Sequence, residues 1–135
     1  MHDTPAYEAE TDGVLVRVRP SYLAGQSDPD GGRWVWAYQI EIVNLSAETV
    51  QLMARCWLIT DGRGRVEEVR GTGVVGEQPV IKPGESYAYA SGCPLGTPTG
   101  SMVGHYTMTD PSGRMFEVAI PGFSLDVPGE RRVLN

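Results

Sequence analysis

Three glycines, Gly71, Gly73 and Gly76, are spaced G-x-G-x-x-G and are followed at once by Glu77. That spacing lets a tight turn bring backbone amides against a phosphate. In a dinucleotide-binding unit the motif closes a strand and opens a helix whose amide dipoles hold the pyrophosphate. Here Val74 and Val75 are β-branched, and Pro79 and Pro83 stand where that helix would run. The glycines are therefore expected to serve a bulge or a close crossing of two sheets. A nest of free amides between Gly73 and Glu77 is the alternative, a site for pyrophosphate or a nucleotide, with the Glu77 carboxylate opposing the charge.

Metal chemistry has few candidates. The side chains suited to a transition ion are His2, His105, Cys56 and Cys93 besides the acids, and no two of these four are close in sequence. His105, between Gly104 and Tyr106, is the candidate ligand, although a strand position favours an ordinary half-exposed side chain. Asp28 and Asp30 carry the hard oxygens that Mg²⁺ or Ca²⁺ prefers, in a run, DPDGG, that lacks the further ligands of a dedicated site. Catalysis is not expected. Cys93 precedes Pro94 and has no third group to complete a Cys-His pairing with His105. Glu67 and Glu68 are adjacent and face opposite ways on a strand, while Ser86 and Ser91 have no neighbouring base.

The composition sets limits on partners. The 135 residues fit one domain, and a formal charge of -6 with Lys82 as the sole lysine argues against a nucleic-acid partner. No apolar run reaches the length of a membrane span, and the amino terminus, MHDTPAYEAETDG, has neither the basic nor the apolar part of a signal peptide. A cytoplasmic protein with two reduced thiols is the expectation, Cys56 and Cys93 being unpaired.

The elements that must position these groups read as strands. Residues 1–11 are acidic and aperiodic, and a flexible tail is expected there and again at 128–135. Val14, Val16 and Val18 alternate with polar or smaller neighbours up to Pro20, and Tyr22 and Leu23 are expected to fold back onto the sheet. The longest alternation, Arg33 to Asn44, puts Trp34, Trp36, Tyr38, Ile40 and Ile42 on one face of a central strand. Thr49 to Thr60 places Val50, Leu52, Ala54, Cys56 and Leu58 on one face, and Met53, Trp57 and Ile59 beside Arg55 on the other. A turn at Asp61 to Gly64 returns the chain from Val66 to Val75. Lys82 to Glu85 is a turn, Tyr87 to Ala90 a short strand, Gly92 to Gly100 an irregular loop and Met102 to Thr109 a strand. Arg114 to Ile120 is its hairpin partner, and Phe123 to Val127 follows Pro121 and Gly122 as a last short strand. Seven or eight short strands without helical periodicity predict an all-β antiparallel sandwich of the immunoglobulin or fibronectin type III kind. The immunoglobulin pattern of paired cysteines around a tryptophan is missing. The loop Ser91 to Gly100, with Leu95, Thr97 and the nearby Met102, is low in charge and is expected to be packed rigidly across the sandwich end, to offer a contact surface, or both.

Three runs carry a resemblance: GTGVVGEQPVIKPGE (Gly71 to Glu85), YASG (Tyr89 to Gly92) and TPTGSMVGHYTM (Thr97 to Met108). They are similar to the ApaG family. That resemblance implies a fibronectin type III architecture and an association, by genetics, with cobalt resistance and magnesium efflux. With no span to form a channel, the chain would bind Co²⁺ or Mg²⁺ in solution or act on a transporter. The same domain type is appended to eukaryotic F-box-type proteins, which implies a non-catalytic module that binds a protein partner, through a free strand edge or as a homodimer. Two positions depart from the family: Cys56 stands where a ring is frequent before the tryptophan of Trp57-Leu58-Ile59-Thr60, and Ala90 where threonine is usual.

Overall fold

A computed structural model describes residues 6–129, and among these the alternation of β-branched and aromatic residues with polar ones builds nine strands. They are β1 (Tyr7–Thr11), β2 (Val14–Tyr22), β3 (Trp34–Asn44), β4 (Val50–Asp61), β5 (Val66–Thr72), β6 (Val80–Ile81), β7 (Ser86–Leu95), β8 (Thr99–Thr109) and β9 (Met115–Asp126). All the pairings are antiparallel, in one sheet of order β1-β2-β3-β7 and another of order β5-β4-β8-β9. The expected sandwich is therefore present, with more strands than the sequence suggested.

The core lies between the inner faces. Val14, Val16, Val18, Trp36, Tyr38, Ile40 and Ile42 of the first sheet meet Leu52, Trp57, Tyr106, Met108, Val118, Ile120, Phe123 and Leu125 of the second. Tyr38 stands edge-on to Trp57 with ring centroids 5.4 Å apart, and Trp57 meets Phe123 at 5.9 Å and 88°. Such tilted contacts set the positive ring edge against a neighbouring π-face. The buried Asn44 amide fastens one end. Its Nδ2 donates to Glu48 O at 2.7 Å and Ile81 O at 2.9 Å, while its Oδ1 accepts from the Ser46 amide and hydroxyl.

Several boundaries differ from the sequence reading, each for a physical reason. Residues 7–11 are not tail but β1, paired with β2 from Tyr7↔Val18 to Thr11↔Val14, so the acidic side chains decorate an edge strand. Residues 1–5 and 130–135 lie outside the described residues, and those parts of the expected tails 1–11 and 128–135 fall there. Residues 92–100 are largely strand, because β7 pairs with β3 as far as Trp34↔Leu95 and β8 begins at Thr99. Pro121 and Gly122 do not end a strand. Met102 faces Phe123 and Gly104 faces Ile120, so β9 carries one extra residue there, and its inward set switches from Val118 and Ile120 to Phe123 and Leu125.

A second bulge changes the face assigned to β4. Leu52 pairs with Met108 but Ala54 with Thr107, which leaves Met53 unopposed. Inward residues before it are Val50 and Leu52; after it Arg55 and Trp57 turn inward, opposite Tyr106 and Gly104. Cys56 and Leu58, expected to share a face with Leu52, are on the outer face instead. The Met53 carbonyl, freed from the ladder, accepts Gly73 N at 2.9 Å and Gln78 Nε2 at 3.0 Å. Across this bulge β5 and β6 run as one interrupted edge strand along β4.

The interruption is the glycine motif. Val74 and Glu77 exchange two backbone hydrogen bonds of 2.8 Å, closing a two-residue hairpin with Val75 at φ 44° and Gly76 at φ 80°. Gly73 sits at φ 62°, and a Cβ there would stand 2.2 Å from Glu77 O. Gly73→Val is thus expected to destabilise the domain by more than about 2 kcal/mol, combining a forbidden backbone region with a steric clash. Urea unfolding reads the difference, and an unchanged midpoint would refute the role given to Gly73.

Candidate functional site

The sandwich is closed along one side, where β1 and β2 pack against β9, and open along the other, where the edges β5 and β7 flank a cleft. This cleft has a volume of about 290 Å³. Alternation aims Ser91, Cys93 and Leu95 of β7 into it, opposite Val69 and Glu67 of β5, over a floor of Tyr38, Trp57, Ile59 and Met102. Arg55 also lines it. The Arg55 guanidinium lies over Gly71, where a Cβ would come within 2.7 Å of it, and Nη1 donates to Thr72 O at 3.2 Å and Gly73 O at 2.7 Å. No carboxylate pairs with Arg55 among the described residues.

Buried hydroxyls surround that charge. Tyr89 and Tyr106 bridge the two sheets through an O···O contact of 2.6 Å. Burial pushes both phenols, and Tyr38, above the ordinary tyrosine range; Arg55 acts on all three in the opposite sense, and Ser91 hydrogen bonding further lowers Tyr38. Burial likewise lifts the Cys93 thiol to about 11, with the Glu67 carboxylate adding to it. Cys93 is therefore a protonated thiol near neutrality, a poor nucleophile.

The predicted site residues separate into groups. Gly73 N, Val74 N and Glu77 N, three of the five amides proposed for an anion nest, each donate to a protein carbonyl. Gly71 makes room for Arg55, and Gly76 and Glu77 close the hairpin. Of the residues expected on a contact surface, Ser91, Leu95 and Met102 meet in the cleft. Met102 and Thr97 are buried, at 2% and 6% exposure, which excludes them as an exposed patch. Thr97 Oγ1 instead accepts Gly62 N and donates to Thr99 O, joining two turns.

His105 lies outside the cleft, on the outer face of β8, with Nε2 3.6 Å from Glu117 Oε1 and Cys56 as its cross-strand neighbour. Among the described residues no three His, Cys, Asp or Glu side chains converge on one point. Asp28 caps a 3-10 turn, Pro29–Gly31, by accepting Gly31 N at 3.1 Å. Both cysteines are free. Arg55 was legible only as an arginine inside the apolar run Leu52 to Ile59; the bulge that aims it inward was not.

Two outcomes follow for the buried hydroxyls and the thiol. Tyr89→Phe leaves the Tyr106 hydroxyl without its partner and is expected to lower stability by about 1–3 kcal/mol, part of it regained when Tyr106→Phe is added. A fully additive double mutant would contradict the bridge. Unfolded cysteine and tyrosine release protons near pH 9 and 10, earlier than their buried counterparts here, so the folded chain holds more protons at alkaline pH. Stability is thus complete below about pH 9 and is lost as pH rises beyond it. A urea midpoint unchanged between neutrality and about pH 10.5 would oppose this.

Comparison with known proteins places this geometry. Residues 24–110 match the ApaG domain. The chain is 61% identical to Protein ApaG of Mesorhizobium japonicum and 59% identical to Protein ApaG of Brucella canis, in each case over 96% of this chain and 99% of the relative. The crystal structure of the putative ApaA protein from Bordetella pertussis superposes with a TM-score of 0.84 at 44% identity, over 92% of this chain and 99% of that one. With the motif stretch, the sandwich and relatives spanning nearly its whole length in agreement, this chain belongs to the ApaG family.

Proposed function

We propose that this domain is a non-catalytic binding module that takes an extended segment of a protein partner along its β7 edge. One observation carries the reading: Ser86–Leu95 is a ten-residue edge strand, SYAYASGCPL, without a single charged side chain. Folded proteins usually guard an edge of that length with charge, proline or cover, because its free amides and carbonyls template another strand. The neighbouring edge, β5, is guarded in that manner by Glu67, Glu68 and Arg70, whereas β7 has only Pro94 near its end. Strand addition there would gain main-chain hydrogen bonds, with side-chain specificity supplied by alternate positions.

The reading needs no reaction. Cys93 is held as a thiol by burial, and His105 is engaged with Glu117 on another face. No helix of the described residues is long and apolar enough to cross a membrane. The family's association with Co²⁺ and Mg²⁺ would then act through a bound partner.

Placing a lysine at Ala88 and at Ala90, both outward-facing on β7, supplies the missing guard. Partner capture from cell extract is expected to fall by at least tenfold, with the melting temperature nearly unchanged. In the wild-type complex, hydrogen exchange of β7 amides should slow. Equal capture by the doubly substituted chain would overturn the proposal, and so would slowed exchange confined to β1 or β9. A second copy of the chain as the partner would appear as a dimer in sedimentation that the lysines abolish.

A further inference from the structure

We propose that the cleft between β5 and β7 is a binding site for a small organic carboxylate with an apolar body, its carboxylate seated on Arg55. The site is distinct from the β7 edge itself and does not depend on strand addition. Four features of the cleft select this ligand class.

The first is the guanidinium. Nη1 is occupied by Thr72 O and Gly73 O, which fixes the plane of the group over Gly71. The Nε and Nη2 hydrogens, the pair that forms the two-pronged edge matching a carboxylate, have no acceptor among the described residues. Neither nitrogen is sealed away as a buried donor without a partner. An arginine already anchored through one nitrogen loses little freedom on binding, so its fork is preorganised.

The second is the lining. Trp57, Val69, Leu95 and Met102 provide apolar surface, and Ser91 beside Tyr38 adds a hydroxyl. Apolar walls with few convergent polar groups are the usual make-up of a small-molecule site, and about 290 Å³ is at the small end of the range. The third is Glu67. It shares the inner face of β5 with Val69 and Gly71, and Gly71 stands opposite Arg55. Four residues of strand separate the two, roughly 13 Å at about 3.3 Å per residue. Positive charge therefore sits at one end of the cleft and negative at the other. A monoanion with an apolar, uncharged tail fits that polarity, whereas inorganic phosphate has no apolar body for the lining to cover and a nucleotide would bring further negative charge toward Glu67. The fourth is access, because both walls are edge strands, free of a further strand on their outer sides.

The test uses the whole chain labelled with ¹⁵N, titrated with 3-phenylpropionate, with 3-phenylpropionamide and inorganic phosphate in parallel. Saturable shifts are expected with the carboxylate at the Trp57 indole N–H and the Val69 and Gly71 amides. The amide and phosphate should bind at least tenfold more weakly, the first lacking the charge and the second lacking an apolar body for Trp57, Val69 and Leu95 to cover. Arg55→Gln should weaken 3-phenylpropionate by at least tenfold. Since Arg55 also holds the Thr72 and Gly73 carbonyls, Val69→Phe supplies a second variant that fills the cleft and leaves that clamp in place. Loss of binding in Val69→Phe, with the remaining amide spectrum unchanged, supports the site. Absence of a saturable Trp57 shift up to about 20 mM probe would overturn it. So would equal affinity in wild type and both variants, or phosphate binding as tightly as the carboxylate.

Discussion

An extra residue in one strand, Met53 in β4, decides which side chains of the middle of the domain face the core. A sheet has a side-chain period of two, so one unopposed residue reverses the face of everything after it. Before the bulge the inward residues are Val50 and Leu52; beyond it they are Arg55 and Trp57. The bulge also frees a carbonyl, which the start of the glycine hairpin satisfies through Gly73 N and Gln78 Nε2. The arginine completes the arrangement by accepting a place over Gly71 and donating to the Thr72 and Gly73 carbonyls. Bulge, hairpin and guanidinium thus form one unit, in which each polar group exposed by one irregularity is bonded by the next.

The rest of the sandwich is asymmetric around that unit. On the closed side the hydrogen bond from Trp36 Nε1 to Asp126 O, 2.8 Å, and the packing of β1 and β2 on β9 join the sheets. At one end Asn44 reaches Ile81 O in the other sheet. On the open side the sheets are linked by the Tyr89 and Tyr106 hydroxyls, and the space beyond them is left to the cleft. The margin left between the two edge strands is where the proposed ligand site lies.

Residues that suggested chemistry in isolation acquire ordinary roles once neighbours are known. The G-x-G-x-x-G run is a hairpin in an edge strand, with the Gly73, Val74 and Glu77 amides engaged and no helix after it. Cys93 is buried against the core, His105 meets a glutamate on the outer face, and Asp28 caps a turn. Membership of the ApaG family agrees with this assignment of fold.

Alternation and turn chemistry alone determined the all-β class and most strand centres. Val14 to Val18, Trp34 to Ile42 and the Asp61 to Gly64 turn stand where their patterns place them, since period two and positive-φ residues are local properties. The resemblance carried by Gly71 to Met108 was equally a property of the chain. Tertiary structure decided the rest. An acidic segment became β1 because Val14 to Val18 offered a partner for pairing, and Pro121-Gly122 became a bulge because β8 continues past it. Arg55 became a cleft residue because Met53 has no residue opposite it, and that depends on a strand some fifty positions away in the chain. Register between distant strands is set by which long-range pairing buries the most apolar surface, and no local pattern records it.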